Sequence, residues 1–222
     1  MTTIVYIDGY NLYYGLLRNS SYKWLNLVAL FEDQVLRERS KTTKLIQLKY
    51  YTADVKARFA RHGSQSQRAQ QNYHRALETT GRVVIIKGDH SVDKATPYKY
   101  LNPPDLNQKV DIWKIEEKQT DVNIALDMYR DAVRGAADQL VLCSNDTDLM
   151  RALKYVREDC PAIILGLVAP LPKNGKHRPV SVSLSEHAHW TRKYIREEEL
   201  KAAQFKHRIP TRKKPIDKPE YW

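Results

Sequence analysis

The sequence of 222 residues predicts an α/β fold with an open sheet. Short apolar runs with the length of buried strands recur along the chain, and segments with apolar residues at helical spacing lie between them. The hydrophobic share is 42%, which fits one domain with a substantial core more easily than two. We therefore expect a single α/β domain.

The first half of the chain alternates between strand and helix from its first residues. Thr3 to Ile7 is a β-branched and aromatic run that predicts a central strand, and Asp8 closes it. Helical patterns, the last of them ending at Gly81, separate this strand from two more. The predicted strands are 3–7, 45–51 and a buried 82–87, and the predicted helices are 12–17, 26–39 and 65–79.

The second half begins with an irregular stretch. Residues 88–90 predict a turn, and residues 91–108, with three prolines and no periodicity, predict a long loop or insertion. Thr120 is a good N-cap for a helix with an apolar stripe, on which Asp127 and Asp131 are expected to be solvated. Beyond the loop we predict strands at 109–117, 140–143 and 162–168, helices at 122–133 and 149–156, and a basic turn at 170–179.

The chain is strongly basic, with 37 Lys and Arg residues against 26 Asp and Glu residues and a formal net charge of +11. Such a balance in a globular chain indicates a polyanionic partner, and nucleic acid is the leading candidate. Cys143 and Cys160 have neither disulfide nor zinc spacing, which fits a reducing compartment. Since the N-terminus lacks a signal-peptide pattern and no stretch approaches ~20 apolar residues, we expect a cytoplasmic protein without a membrane segment.

Two segments concentrate the positive charge. No acid lies between Val55 and Leu77, whereas a solvated helix normally mixes both signs. We predict phosphate contacts there, and the competing interpretation is a solvated helix whose arginines contact nothing. The tail from Lys201 has seven Lys and Arg residues against two acids, and its composition predicts disorder in the free protein. The predicted nucleic-acid-binding residues are Lys56, Arg58, Arg61, Arg68, Arg75, Lys118, Arg212, Lys213 and Lys214.

Carboxylates follow the ends of predicted strands. Asp8 closes the first strand, and Asp146 and Asp148 follow the strand that ends at Cys143. Helical spacing points the Asp121 carboxylate inward, toward the carboxyl edge of the sheet, where ligands of open α/β folds bind. Simpler interpretations exist: Asp146 as a helix N-cap, and Asp121 as an acid that complements the helix dipole.

Together these four carboxylates predict a cation site. Their mutual repulsion and desolvation cost free energy, and the motifs contain no adjacent basic partner. Carboxylate oxygens suit Mg²⁺ or Mn²⁺, as one ion or two, and these ions bind phosphate. In a basic protein the site suggests phosphodiester hydrolysis, in which a metal lowers the pKa of the attacking water. Asn11, three residues after Asp8, either fixes that carboxylate or caps the next helix.

Three motifs resemble the signatures of the NYN domain, a PIN-like nuclease family that includes the bacterial LabA/DUF88 proteins. They are Ile7-Asp8-Gly-Tyr-Asn11, Lys118-Gln-Thr-Asp121-Val122 and Ser144-Asn-Asp146-Thr-Asp148. The resemblance runs from Thr3 to about Trp190, so we expect the domain over 1–195 and a basic C-terminal segment over 196–222. One departure is Gln119, where the family commonly has Gly, and this puts the approach to Asp121 in question.

The resemblance implies a three-layer α/β/α sandwich, PIN-like and Rossmann-like, with a mainly parallel sheet. It implies a Mg²⁺- or Mn²⁺-dependent endoribonuclease, with RNA a more usual substrate than DNA. Metal ligands would be Asp8, Asp121 and Asp146, with Asp148 completing or assisting the site and Asn11 and Asn145 orienting it.

Two other function classes stay open. One is a nucleic-acid-binding regulatory module of the same fold with weak or no catalysis, against which the intact set of acids argues. The other is a phosphatase of the haloacid-dehalogenase type, which would need a second Asp where this chain has Tyr10. A dinucleotide-binding protein is disfavoured, because the first strand leads into Asp8-Gly-Tyr-Asn11 and not into Gly-x-Gly-x-x-Gly.

Overall fold

The computed structural model describes residues 1–173 and 179–222, so residues 174–178 of the predicted basic turn at 170–179 lie outside the described residues. Six parallel strands form one central sheet, and the predicted α/β class is confirmed. The strands of the protein are β1 (Thr2–Asp8), β2 (Lys44–Thr52), β3 (Val83–Lys87), β4 (Asp89–Ala95), β5 (Ile112–Lys118), β6 (Gln139–Cys143), β7 (Ile164–Val168), β8 (Trp190–Arg192), β9 (Arg208–Ile209) and β10 (Ile216–Asp217).

Helices cover both faces of this sheet and complete a three-layer sandwich. The helices are α1 (Gly9–Leu12) with the π-helical turn Tyr13–Leu17, α2 (Leu27–Ala29), the π-helical Leu30–Leu36, α3 (Arg37–Arg39), α4 (Ser64–Glu78), α5 (Thr120–Val133), α6 (Met150–Asp159), α7 (Val182–Ser185) and α8 (Glu197–Ala202). Because strand side chains alternate between faces, Val5 and Ile7 pack with α1, α2 and α4, while Ile4 and Tyr6 pack with α5 and α6. Among the described residues, no helix is both long and apolar enough to cross a membrane.

The order of strands in the sheet is β3-β2-β1-β6-β7-β8. The chain moves outward from β1 to β3 and then returns to place β6 on the other side of β1. The point where the strand order reverses therefore lies between β1 and β6, and ligands of such sheets bind at the carboxyl ends of the strands at this point. The strand predicted at 82–87 is confirmed as β3, but the edge position of β3 leaves Val84 41% exposed, so the prediction that this strand is buried was wrong.

A two-stranded antiparallel ribbon, β4 with β5, projects from the sandwich where the sequence predicted a turn at 88–90 and a long loop at 91–108. The strand predicted at 109–117 is confirmed as β5, but Ile112 and Ile115 are 43% and 41% exposed, so the predicted half-exposed pattern was wrong. β4 was missed because its acids and lysine are poor strand formers. Seven residue pairs with β5, from Asp89 opposite Lys118 to Ala95 opposite Ile112, stabilise it as a strand.

A buried polar cluster joins α5 to the central strands, and it contradicts the expectation that Asp131 is solvated. Asp131 is only 8% exposed and accepts hydrogen bonds from Tyr6 Oη and Lys49 Nζ, each at 2.6 Å. Asp127 accepts a bond from Tyr51 Oη at 2.9 Å. These partners lie on β1 and β2, far from α5 in sequence, so helical spacing alone did not reveal them.

The C-terminal tail packs against α4, which differs from the predicted disorder. Ile216 is 2% exposed, and the Trp222 ring lies 6.2 Å from that of Trp24 in the core. Arg75 Nη2 donates to the Lys214 carbonyl at 3.0 Å, so the two predicted basic segments adjoin one another. Few apolar residues suffice here because they pack onto a core already formed by the domain, and the division at residue 195 stays a prediction.

Candidate metal centre and active site

Three carboxylates meet at the carboxyl edge of the sheet. Asp8 ends β1, Asp146 follows β6 and Asp121 lies in the first turn of α5, and one oxygen from each lies within 4.8 Å of the others. β1 and β6 are neighbours in register, with Ile7 opposite Cys143, which brings the residues that follow the two strands together. The predicted convergence of Asp8, Asp121 and Asp146 is therefore seen in the structure.

Asp8 is the most deeply held of the three, at 3% exposure. Its Oδ1 accepts a hydrogen bond from the backbone N–H of Asn11 at 2.9 Å, and its Oδ2 accepts one from Ser144 Oγ at 2.9 Å. Burial raises the pKa of this carboxyl, whereas the two hydrogen bonds act in the opposite direction. Asp8 is thus fixed in position, and its charge is only partly compensated by the protein.

Asn11 and Asn145 connect the loops around the acids. The Asn11 side-chain oxygen accepts a hydrogen bond from the backbone N–H of Asn145 at 3.1 Å, while the backbone N–H of Asn11 donates to the Asp8 carboxylate. Asn145 also donates to the Pro179 carbonyl at 3.1 Å and accepts from the Ser181 amide at 2.7 Å. Both Asn side chains hold backbone segments in place, so positioning the site is the role their geometry allows.

Asp146 combines the two interpretations that the sequence left open. Its Oδ1 accepts from the Asp148 amide at 3.0 Å, as an N-cap does, and the same carboxylate belongs to the three-acid group. Asp148 is exposed and does not belong to that group. Its charge nevertheless contributes to raising the pKa of Asp121, so it lies near enough to act on the site electrostatically.

Glu117, at the base of the ribbon, is a fourth acid at the centre that the sequence did not single out. Burial, then the charges of Asp121 and Asp8, raises the pKa of Glu117 to about 7. Its Oε1 is buried and has no hydrogen-bond partner among the described residues. The same causes, burial first and then Asp8, Asp146 and Asp148, raise the pKa of Asp121 to about 6.

The donor set fits a hard divalent cation. Every candidate ligand is a carboxylate, and none of Asp8, Asp121, Asp146 and Glu117 pairs with Lys or Arg among the residues that the structure describes. Raised carboxyl pKa values mark negative charge that the protein itself leaves uncompensated. Mg²⁺ and Mn²⁺ take such oxygen ligands. The residues present therefore fit the metal that the sequence predicted.

Gln119 begins α5 in a left-handed conformation, with φ 78° and ψ −20°, and Thr120 is not the N-cap that the sequence predicted. The left-handed region costs a residue with a side chain roughly 1–2 kcal/mol. This left-handed conformation explains why glycine suits position 119. In this chain Gln119 adopts it instead, and the backbone leads into Asp121 in the same way.

Replacing Gln119 by Gly is expected to raise the free energy of unfolding by about 1 kcal/mol, because relief of the left-handed strain exceeds the added chain entropy. Thermal or urea unfolding measures the change. Gln71→Gly, at an exposed position within α4, is the matched control and should destabilise by a similar amount. Equal destabilisation by both variants would contradict the strain.

The predicted nucleic-acid-binding residues are divided among three places. Lys56 pairs with Asp89 at 3.3 Å and Lys118 with Glu116 at 2.7 Å, beside the ribbon. Arg58 packs on the aromatic ring of Trp113. The remaining ones lie on or next to α4 and on the tail, where they are exposed: Arg61, Arg68, Arg75, Arg212, Lys213 and Lys214.

Comparison with known proteins identifies the family. The model of the NYN domain matches residues 2–176. The chain is 38% identical over 241 residues to the 6-hydroxy-3-succinoylpyridine 3-monooxygenase HspA of Pseudomonas putida, covering 100% of this chain and 75% of that protein. A solved structure of a protein of unknown function from Vibrio parahaemolyticus covers 89% of this chain and 94% of its own, with a TM-score of 0.53 and 15% identity, which shows a shared fold alone. The chain belongs to the NYN domain family.

Proposed function

We propose that the protein is a metal-dependent ribonuclease that hydrolyses RNA phosphodiester bonds at the carboxyl edge of the sheet. The observation that carries the proposal is the group Asp8, Asp121 and Asp146, whose oxygens converge within 4.8 Å without a basic partner among the described residues. A cluster of this kind in a chain of net charge +11 suits a phosphate-bearing substrate and a cation between two sets of negative oxygens.

The three aspartates would hold Mg²⁺ or Mn²⁺, with Asp148 assisting from the exposed side. Such an ion, when bound, lowers the pKa of water and neutralises charge on the phosphate. The other polar residues hold the site in place. Asn11 and Ser144 fix the Asp8 carboxylate, and Asn145 connects the turn after β6 to Pro179. Glu117 offers a carboxylate oxygen without a hydrogen-bond partner in the described part of the chain, which suits accepting a proton from water at the site.

A second candidate function is oxygenation of a hydroxypyridine, and the relative from Pseudomonas putida favours it. The identity of 38% extends over the whole of this chain, whereas the nuclease proposal depends on the family and on the acid cluster. A third candidate, the regulatory nucleic-acid-binding module, shares the substrate class of the first and differs only in catalysis.

One experiment separates these candidates. Wild type and Asp146→Asn are incubated with labelled RNA and DNA, with Mn²⁺ or with excess chelator. We expect wild type to cleave RNA with Mn²⁺, and we expect no cleavage in chelator or by Asp146→Asn. In a parallel incubation, 6-hydroxy-3-succinoylpyridine is supplied with oxygen and a reduced nicotinamide cofactor. Oxygen consumption together with no cleavage would replace the nuclease by an oxygenase, and binding without either would leave the regulatory module.

The basic tail supplies a test of phosphate contact. Deleting it would remove Ile216 and Trp222 from the packed core, so charge substitutions are the cleaner change. Replacing Arg212, Lys213 and Lys214 by Gln is expected to weaken RNA binding and to lower the slope of log K against log salt by up to about 2, since each contact adds roughly 0.7. Three exposed cations outside both basic segments, Lys41, Arg134 and Lys154, serve as the control set. An equal fall in slope for both sets would contradict a specific role for the tail.

A further inference from the structure

The β4–β5 ribbon leaves an aromatic surface exposed beside the acidic centre. Trp113 on β5 is 47% exposed, although a tryptophan is among the largest apolar side chains of the protein. On one side it packs with Phe59, at 5.9 Å between ring centroids, and with the Arg58 guanidinium, at 5.4 Å from the indole centroid. These contacts hold the indole in place and leave the rest of its surface available to a ligand.

The same face of the ribbon leads into the acidic centre. Residues two apart on a strand share a face, so Trp113, Ile115 and Glu117 lie in one row along β5. Glu117, at the base of the row, is the acid whose pKa is influenced by Asp8 and Asp121. At about 3.3 Å per residue, the Trp113 backbone lies roughly 13 Å from that of Glu117. A chain that reaches the acids along this face passes over the indole.

The charge around Trp113 fits an anionic ligand. Lys94 lies opposite Trp113 in the antiparallel register, on the same face, and Arg58 packs directly on the ring. Two nearby acids, Asp89 and Asp93, lie on the other face of the ribbon, and Asp89 pairs with Lys56 at 3.3 Å. An aromatic ring flanked by cations, close to a carboxylate centre, combines base stacking with phosphate attraction.

We propose that Trp113, with Arg58 and Phe59, forms a stacking platform that binds an unpaired base of a single-stranded nucleic acid about 13 Å along β5 from Glu117. The inference rests on the proposed function, because it takes a nucleic acid to be the substrate. It goes further by assigning a single-stranded form to the substrate. Bases inside a duplex are already stacked on their neighbours, so only an unpaired base can stack on the indole.

Binding without turnover tests the platform. Full-length protein in excess chelator is titrated with a fluorescently labelled single-stranded RNA and with a duplex of the same sequence. Trp113→Ala is expected to weaken binding of the single strand about tenfold, since stacking of one base contributes roughly 1–3 kcal/mol. Binding of the duplex should be unchanged. Trp113→Phe, which keeps an aromatic ring, should retain most of the affinity.

A matched control lies on the same ribbon. Tyr100 is 94% exposed near the ribbon tip, so Tyr100→Ala removes an aromatic side chain of similar size without touching the platform, and its affinity should equal that of wild type. Circular dichroism and thermal unfolding of Trp113→Ala check that the ribbon is folded. Equal binding of the single strand by wild type and Trp113→Ala, or an equal loss on single strand and duplex, would overturn the proposal.

Intrinsic fluorescence gives a second, independent measurement. Trp222 on the tail is only partly buried, so it is replaced by Phe in both proteins of this comparison. Single-stranded RNA should quench the emission of Trp222→Phe and not that of the double variant Trp113→Phe, Trp222→Phe, because the two remaining tryptophans, Trp24 and Trp190, are buried at 0% and 8% exposure. Quenching by a small hydroxypyridine carboxylate that RNA fails to displace would show a small-molecule platform and overturn ours. Binding is measured in chelator and cleavage is measured separately with Mn²⁺, so the two proposals can fail independently. Single-strand binding through Trp113 without cleavage in Mn²⁺ would reject the nuclease proposal alone, and cleavage in Mn²⁺ with unchanged affinity of Trp113→Ala would reject the platform alone.

Discussion

Replacing Asp121 or Asp146 by Asn is expected to lower the rate of RNA hydrolysis by about 10³-fold or more. Each change removes one of three converging carboxylates, and the charge stabilisation that a bound metal provides at a phosphoryl oxygen amounts to several kcal/mol. Single-turnover rates with Mn²⁺ measure the effect. Asp8→Asn should be equally inactive, but it also breaks the bond from Ser144 Oγ, so it tests folding and catalysis together.

The same variants have a readout that does not depend on activity. Calorimetric titration should show Mn²⁺ binding to wild type and a large loss of affinity in Asp121→Asn and Asp146→Asn. Asp148→Asn is the graded comparison: its carboxylate lies outside the converging group, so it should retain more affinity than either. RNA hydrolysis by wild type that persists in excess chelator would contradict a metal-dependent mechanism.

Without metal, Asp121→Asn is expected to stabilise the protein. The pKa of Asp121 is raised to about 6, so its ionised form is disfavoured in the folded state relative to the unfolded state. Stability contributed by this group is therefore greatest at low pH and falls as pH rises through about 6. After allowance for solvent screening of a half-buried group, we expect a gain near neutral pH of about 1 kcal/mol, or roughly 2–4 °C in Tm.

The acid cluster was predictable because its positions depend on local patterns. Asp8 and Asp146 each follow a compact apolar run, and parallel strands bring such ends to one edge of the sheet. The inward direction of Asp121 follows from helical spacing. Glu117 depends on something else: it faces the centre only because β5 pairs with β4, a strand whose own sequence has weak strand propensity.

Long-range packing explains the other differences. Asp131 looked like a surface charge because its partners, Lys49 and Tyr6, lie 82 and 125 residues away. The tail looked disordered because composition measures what a segment can bury by itself. Ile216 and Trp222 instead complete a core formed by Trp24 and other residues of the domain. A single sequence contains no local signal of either arrangement.

Replacing Lys49 by Met is expected to destabilise the fold by about 3–5 kcal/mol, because it leaves a buried carboxylate without its cation. Lys49 is 7% exposed, and its ammonium lies 2.6 Å from Asp131 and 3.8 Å from Asp127. Asp127 keeps a bond from Arg130 at 2.6 Å after the change. Among the described residues, Asp131 then keeps only the Tyr6 hydroxyl as a side-chain partner. For a chain of this size the Tm should fall by about 10 °C.

Two further variants decide whether the loss comes from the unpaired charge. Lys44→Met, at an exposed position on the same strand, controls for the change of side chain and should stay within about 0.5 kcal/mol of wild type. The double variant Lys49→Met, Asp131→Asn removes both charges, and it should recover a large part of the loss because a buried pair can be replaced together at little cost. Additive destabilisation in the double variant would show that Lys49 stabilises the fold through packing of its carbon chain and not through Asp131.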